Sequence, residues 1–193
     1  MGKENFKLNG INVEVFIEEG AEKPEYGHVT KDGIPGDYCL DIKATSCEYD
    51  EEMDCYIYHT GLRFNMPEMT AMLIYPRSSN RKTDAYICNH VCIIDWMYNK
   101  EVLICMKNRT SMKARTAIAE HDIVVSGILN RKGLSEIRKD VENMPKLNPM
   151  DYAPYKAGNK IAQLVMVEYK KTNLIEVDSI KDSGRGAFGS TGE

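Results

Sequence analysis

"AYICNHVCIIDWMYNKEVLICMKN", residues 85–108, holds two apolar runs rich in Ile, Val and Cys on either side of a short polar and aromatic segment. Short runs of β-branched and aromatic residues bounded by turn formers are strand signals. The stretch therefore reads as a strand over 85–95 and another over 101–108, with 89–102 making a tight hairpin around Trp96 and Met97. Working outward, "NVEVFIE" (12–18), "YCLDIKA" (38–44), "MTAMLIYP" (69–76) and "KIAQLVMVEY" (160–169) repeat the pattern, each closed by Gly, Pro, Asn or Asp. Many short strands at this spacing predict an all-β sandwich, jelly roll or barrel.

Two segments break the rhythm. Over about 113–151, Leu134, Ile137 and Val141 recur at helical spacing with charges between them until "PKLNP" stops the run, so an insertion with one short helix is expected. The last twelve residues contain four glycines and almost no β-branched apolar residue, which predicts a mobile arm over 181–193 attached to a single domain spanning 1–180.

Charge narrows the partners. Twenty-five Lys and Arg face 29 Asp and Glu, for a net charge of −4, so there is no basic excess of the kind that a nucleic-acid backbone demands, and no stable nucleic-acid binding is expected. No apolar run approaches the roughly 18–20 residues of a membrane span. The six cysteines lie in or beside apolar runs and no leader is visible, which fits reduced thiols in a cytoplasmic protein. Cys88, His90 and Cys92 would alternate onto one strand face without a second ligand pair, so zinc is not expected.

Several short stretches carry chemistry. In "YPRSSN" (75–80), Arg77 offers a planar fork of donors for phosphate oxygens, with the Ser78 and Ser79 hydroxyls beside it, although the same residues suit a solvated turn. Asp95 closes an apolar run where a carboxylate could activate a water, and Tyr98 presents a flat ring three residues later; a turn-capping Asp with a packing Tyr gives the same pattern. Asn89 could meet a polar ligand edge or cap a turn. Gln163 interrupts the apolar run KIAQLV, where a buried amide needs partners. Asp41 in "CLDIKA" is either an outward alternation residue or linked to a metal.

Taken in order, these stretches resemble the five motifs of the trimeric deoxyuridine triphosphate nucleotidohydrolases (dUTPases): "LDIKA", "PRSS", "NHVCIIDWMYNKE", "GNKIAQL" and "GRGAFGSTG". The run "PRSSNRKTDAYICNHVCIID" is most similar to the viral and bacteriophage branch. The resemblance implies a jelly-roll protomer, a homotrimer with active sites shared between subunits, and Mg²⁺-dependent hydrolysis of dUTP to dUMP and pyrophosphate. Such a reaction limits uracil incorporation into DNA and supplies dUMP for thymidylate synthesis, in the cytoplasm of a bacterial host if a phage encodes the chain. By the same resemblance Asp95 is the base for the attacking water, Tyr98 lies against the deoxyribose, and Asn89 reads uracil. Arg77, Ser78, Ser79 and Gln163 then hold the phosphates, while Asp41 reaches the metal through water or supports the centre. In the arm, Phe188 covers the base and Ser190 and Thr191 bind the terminal phosphates.

The chain also departs from the family pattern. Cys92 and Lys100 stand where glycines are usual in the third motif, and Ser183 stands where the fifth motif has its arginine, which leaves Arg185, two residues on, to take the γ-phosphate. Other readings are a dCTP deaminase or bifunctional deaminase, which shares the fold and the arginine-serine motif, and a regulatory protein on the same scaffold that docks a partner through the insertion.

Overall fold

In the computed structural model, which describes residues 10–181, strand alternation sorts side chains between two facing sheets and a small third one. The elements run β1 (Glu14–Ile17), β2 (Glu25–Tyr26), β3 (Leu40–Lys43), β4 (Ser46–Asp50), β5 (Cys55–His59), β6 (Leu62–Asn65), β7 (Thr70–Pro76), β8 (Ala85–Ile87), β9 (Cys92–Asp95), β10 (Leu103–Asn108), helices α1 (Met112–Leu129) and α2 (Leu134–Glu142), and β11 (Lys160–Glu168). One sheet has the order β2-β3-β11-β7-β9, a second β4-β5-β10-β8, and β1 pairs with β6. Every pairing is antiparallel.

The core lies between the sheets. Ile42, Met72, Ile74, Ala162 and Leu164 face Tyr56, Tyr58, Ile87, Ile104 and Met106, with Leu62 and Phe64 of the small sheet closing one end. Fully burying such side chains contributes roughly 1.5–3 kcal/mol each. Because the side-chain period is two, residues of the other phase, including Asp41, Tyr75 and Gln163, stand in one row on the opposite face of the five-stranded sheet.

Two expectations are corrected. The run 85–95 is not one strand and 89–102 is not a paired hairpin: β8 pairs with β10, while β9 leaves for the other sheet and pairs with β7. The turn at Trp96 and Met97 does form, closed by the Tyr98 amide donating to the Asp95 carbonyl at 2.9 Å. A corner lies at 88–91, where His90 takes φ 59°, so Cys88, His90 and Cys92 do not share one strand face. Switching sheets lets both apolar runs reach the same core. The insertion carries two helices, not one. The first was invisible because Ile118, Val125, Ile128 and Leu129 leave it exposed rather than marking one buried stripe. Its start is capped by Ser111, whose Oγ accepts from the Ala114 amide at 3.1 Å.

The two helices touch where Gly127 meets Ile137; a Cβ at Gly127 would lie 2.6 Å from Ile137 Cγ1. Gly127→Ala gains about 1 kcal/mol of helix propensity, but the clash with a stiff β-branched side chain outweighs it. The variant is expected to lose stability by about 1–2 kcal/mol, read from urea unfolding followed by far-UV circular dichroism.

Candidate functional site

The polar residues singled out in the sequence gather at two places. The first is the end of the five-stranded sheet where β3, β11 and β7 lie side by side. Arg77, just past β7, sets its guanidinium against Asp41 of β3 as a fork: Nε donates to Oδ1 at 2.7 Å and Nη2 to Oδ2 at 3.3 Å. Lys160 of β11 donates to the same carboxylate at 2.8 Å, and Arg77 Nη1 donates to Ser79 Oγ at 3.3 Å. Burial alone would raise the Asp41 carboxyl, but the Lys160 and Arg77 bonds and charges outweigh it and hold it below the usual carboxylate range. Gln163 sits directly across from Asp41 and Tyr75, its amide donating to the Pro76 carbonyl at 3.3 Å. Ser78 is exposed at the start of a short 3₁₀ turn, Ser78–Lys82.

That turn is held from behind. Asn80 accepts from the Tyr155 hydroxyl at 3.1 Å and donates to the Ala85 carbonyl at 3.0 Å. The fully buried Tyr58 hydroxyl exchanges bonds with the Tyr155 backbone, accepting at 2.9 Å and donating at 3.1 Å. Lys160, Asn80 and Tyr155 were not singled out in the sequence. Lys160 was visible inside "GNKIAQL", whereas Tyr155 reaches the turn only through tertiary contact.

The second place is an open pocket of about 230 Å³ lined by Asn89, Cys92, Ile93, Ile94, Asp95, Tyr98, Val102 and Leu103. Asp95 and Asn89 are exposed at its mouth, and Lys100 is exposed beyond it. The Tyr98 hydroxyl donates to the Glu101 carbonyl at 2.9 Å, which sets the ring on the turn. Larger cavities among the described residues include an apolar one of about 320 Å³ around Val13, Tyr26 and Phe64 and a cleft of about 900 Å³ between the insertion and Tyr49 and Asp54. Neither is lined by these polar residues.

The structure brings Asp41, Arg77, Ser79, Lys160 and Gln163 together, and separately Asn89, Asp95 and Tyr98. It does not bring the two groups together. Asp95 is paired with Ala71, six residues before Arg77 on β7, a separation of about 20 Å along an extended strand. Arg185, Phe188, Ser190 and Thr191 lie outside the described residues. Chemically, the first group is a cationic and hydroxyl-bearing cradle suited to phosphates, and the second is a flat-walled pocket with a carboxylate at its rim. Among the described residues no cluster of three or more His, Cys, Asp or Glu is arranged to hold a metal, and Asp41 already carries two cations. These residues fit Mg²⁺ only as an ion that arrives on phosphate oxygens with its water shell. Nor is any helix among them long and apolar enough to cross a membrane.

Comparison with known proteins gives this arrangement relatives. The dUTPase family model matches residues 25–144. A deoxyuridine 5'-triphosphate nucleotidohydrolase of Thermobifida fusca is 31% identical over 118 residues, a match covering 51% of this chain and 65% of that protein, just under two thirds of its length. The enzyme of the same name from Alkaliphilus metalliredigens is 25% identical over 191 residues, 97% of each chain. Among solved structures, a Staphylococcus bacteriophage 80alpha dUTPase variant with dUpNHpp, described among phage dUTPases that control transfer of virulence genes, superposes with a TM-score of 0.58 at 21% identity, over 94% of this chain and 99% of that one.

The Asp41 cluster predicts a pH signature. A carboxylate whose folded-state pKa is depressed adds stability above its unfolded value and loses that contribution as pH falls through the folded value. Asp41→Asn is expected to lower the urea midpoint at pH 7, and its gap from wild type is expected to narrow as pH drops below about 4.

Proposed function

The chain belongs to the dUTPase family, and we propose that it hydrolyses dUTP to dUMP and pyrophosphate in a trimer whose active sites are shared between subunits. The single observation that carries the shared site is the ~20 Å between Asp95 and the Arg77 cradle along β7. A triphosphate bound in that cradle would lie far from the Asp95 of the same chain, which supports a site whose two halves come from different copies. The described tail agrees with assembly: Leu174, Ile175, Val177 and Ile180 are 57–94% exposed beyond β11, an apolar strip that a second copy would cover.

In this reading Asp95 accepts a proton from the attacking water as its oxygen forms the new bond to the α-phosphorus; the bond from that phosphorus to the bridging oxygen breaks and pyrophosphate leaves. Tyr98 packs on the deoxyribose and leaves no room for a 2'-hydroxyl, and Asn89 reads the polar edge of uracil. Cys92, in place of a glycine, lines that pocket, while Lys100 is exposed beyond it. Arg77, Ser78, Ser79 and Gln163 bind the phosphates, with Lys160 beside them. Asp41 aligns Arg77 and Lys160, which bond both its oxygens, and meets the metal through water. Mg²⁺, the ion of this family's reaction, would neutralise charge on the triphosphate when bound on its phosphate oxygens. Arg185, Phe188, Ser190 and Thr191 would close over the nucleotide from the C-terminal arm. The cellular role that follows is cytoplasmic removal of dUTP and supply of dUMP. The exposed Ile118, Ile128, Leu129 and Leu134 of the insertion favour a second, compatible role in docking a protein partner.

Asp95→Asn is expected to cut pyrophosphate release from dUTP by about a thousandfold, within the range for losing a general base; ammonia released from dCTP by the wild type would instead indicate a deaminase. Subunit mixing tests the shared site. Asp95→Asn and Arg77→Ala trimers, each inactive, are expected to regain about a quarter of wild-type turnover after denaturation and refolding together one to one, because random assembly places both intact residues at one site in four. No recovery would mean that each chain supplies a whole site.

A further inference from the structure

Glu101 is the best-connected side chain near the second pocket and has no role in the scheme above. It follows the Tyr98 turn and reaches across to the connection between β5 and β6. Its Oε1 accepts from the Thr60 amide at 3.1 Å and the Gly61 amide at 2.9 Å, and its Oε2 faces His59 Nδ1 at 3.1 Å. The neighbouring backbone continues the seam. The buried Thr60 hydroxyl donates to the Val102 carbonyl at 2.7 Å, and the Val102 amide donates to the Leu62 carbonyl at 2.9 Å. Burial opposes ionisation of Glu101, but the Gly61 amide, the His59 ring and the Thr60 amide hold its carboxyl below the usual range. His59 is correspondingly raised, first by its bond to Glu101.

The connection being gripped has little freedom of its own. Gly61 has φ 65°, and a Cβ there would lie 2.7 Å from Ala21 Cβ. On the other side of the seam, between the end of β9 and the start of β10, residues 97–100 are exposed, flanked by Trp96 and the buried Val102, which pack against the core. The Glu101 carbonyl is also the acceptor for the Tyr98 hydroxyl. The position of Tyr98 is therefore set by where Glu101 is held.

We propose that Glu101 is a positioning residue for sugar discrimination: gripping the rigid Thr60–Gly61 turn, it fixes the carbonyl to which Tyr98 is bonded and so the ring that excludes a 2'-hydroxyl. This rests on the assignment of Tyr98 to the deoxyribose. A displaced ring leaves phosphate binding and the Asp95 chemistry in place but admits ribose, so the effect falls on selectivity more than on turnover.

The test measures kcat and KM for dUTP and UTP in the intact enzyme. Glu101→Ala is expected to relax the dUTP-to-UTP ratio of kcat/KM by about tenfold with kcat for dUTP within about threefold of wild type, and Glu101→Gln, which keeps an acceptor for both amides, to restore most of the ratio. A merely structural Glu101 would lower the melting temperature and leave the ratio unchanged, and that result overturns the proposal. Tyr98→Ala separates the two assignments. If it relaxes the ratio and Glu101→Ala does not, the grip on the turn is wrong; if neither does, the Tyr98 assignment falls and takes this one with it. Should Glu101→Ala fail to fold, Glu101→Asp, whose shorter side chain cannot reach the Thr60 and Gly61 amides from the same backbone position, is expected to relax the ratio in the same direction; an unchanged ratio there overturns the proposal.

Discussion

The register of β11 between β3 and β7 is the constraint on which the Asp41–Arg77–Lys160 cluster depends. Ala162, Leu164 and Met166 face the core and pair with Pro76, Ile74 and Met72 on β7. That leaves Gln163 on the outer face, in one row with Asp41 and Tyr75. A slip of one residue would send Gln163 into the core and expel Leu164, which costs both a buried amide and a lost apolar contact. The apolar pattern that stabilises the sheet thus also aims the polar side chains. The Asp41 carboxylate then converts that placement into a direction, because its two oxygens hold Arg77 and Lys160 in fixed orientations.

A second consequence follows from the corner at 88–91. The chain leaves the four-stranded sheet after β8 and enters the five-stranded one as β9, so Asn89 lies at the corner and Asp95 at the far end of β9. An unbroken strand would have kept both apolar runs in one sheet and exposed half of them. The same switch carries Asp95 away from Arg77 along β7, so the two polar groups stand at separate places on one chain.

The insertion is stitched into this frame. Tyr56 donates to the Pro149 carbonyl at 2.8 Å, Asn108 to the Tyr152 carbonyl at 2.8 Å, and the Arg115 guanidinium lies 4.7 Å from the Tyr152 ring centroid. From there Tyr155 leads directly to Asn80 behind Ser78 and Ser79. The connection after the helices therefore shares hydrogen bonds with the Ser78–Lys82 turn, so the insertion and that turn form a continuous bonded path.

Much of this was legible in the chain itself. Period-two alternation in "KIAQLVMVEY" and "MTAMLIYP" announced β strands, and local residue chemistry marked Arg77, Asp95, Tyr98 and Gln163, because both signals are set by near neighbours in sequence. Helix α2 was visible through Leu134, Ile137 and Val141, whereas α1 was not, since its apolar residues mark no single buried stripe. Which strand pairs with which, the corner that splits 85–95, the Asp41–Arg77–Lys160 cluster and the Glu101 grip on Gly61 were decided only in three dimensions. The polar contacts join residues tens of positions apart, from 36 between Asp41 and Arg77 to 119 between Asp41 and Lys160, and like the strand pairing they are settled by core packing and by satisfying buried polar groups, neither of which leaves a local trace in the sequence.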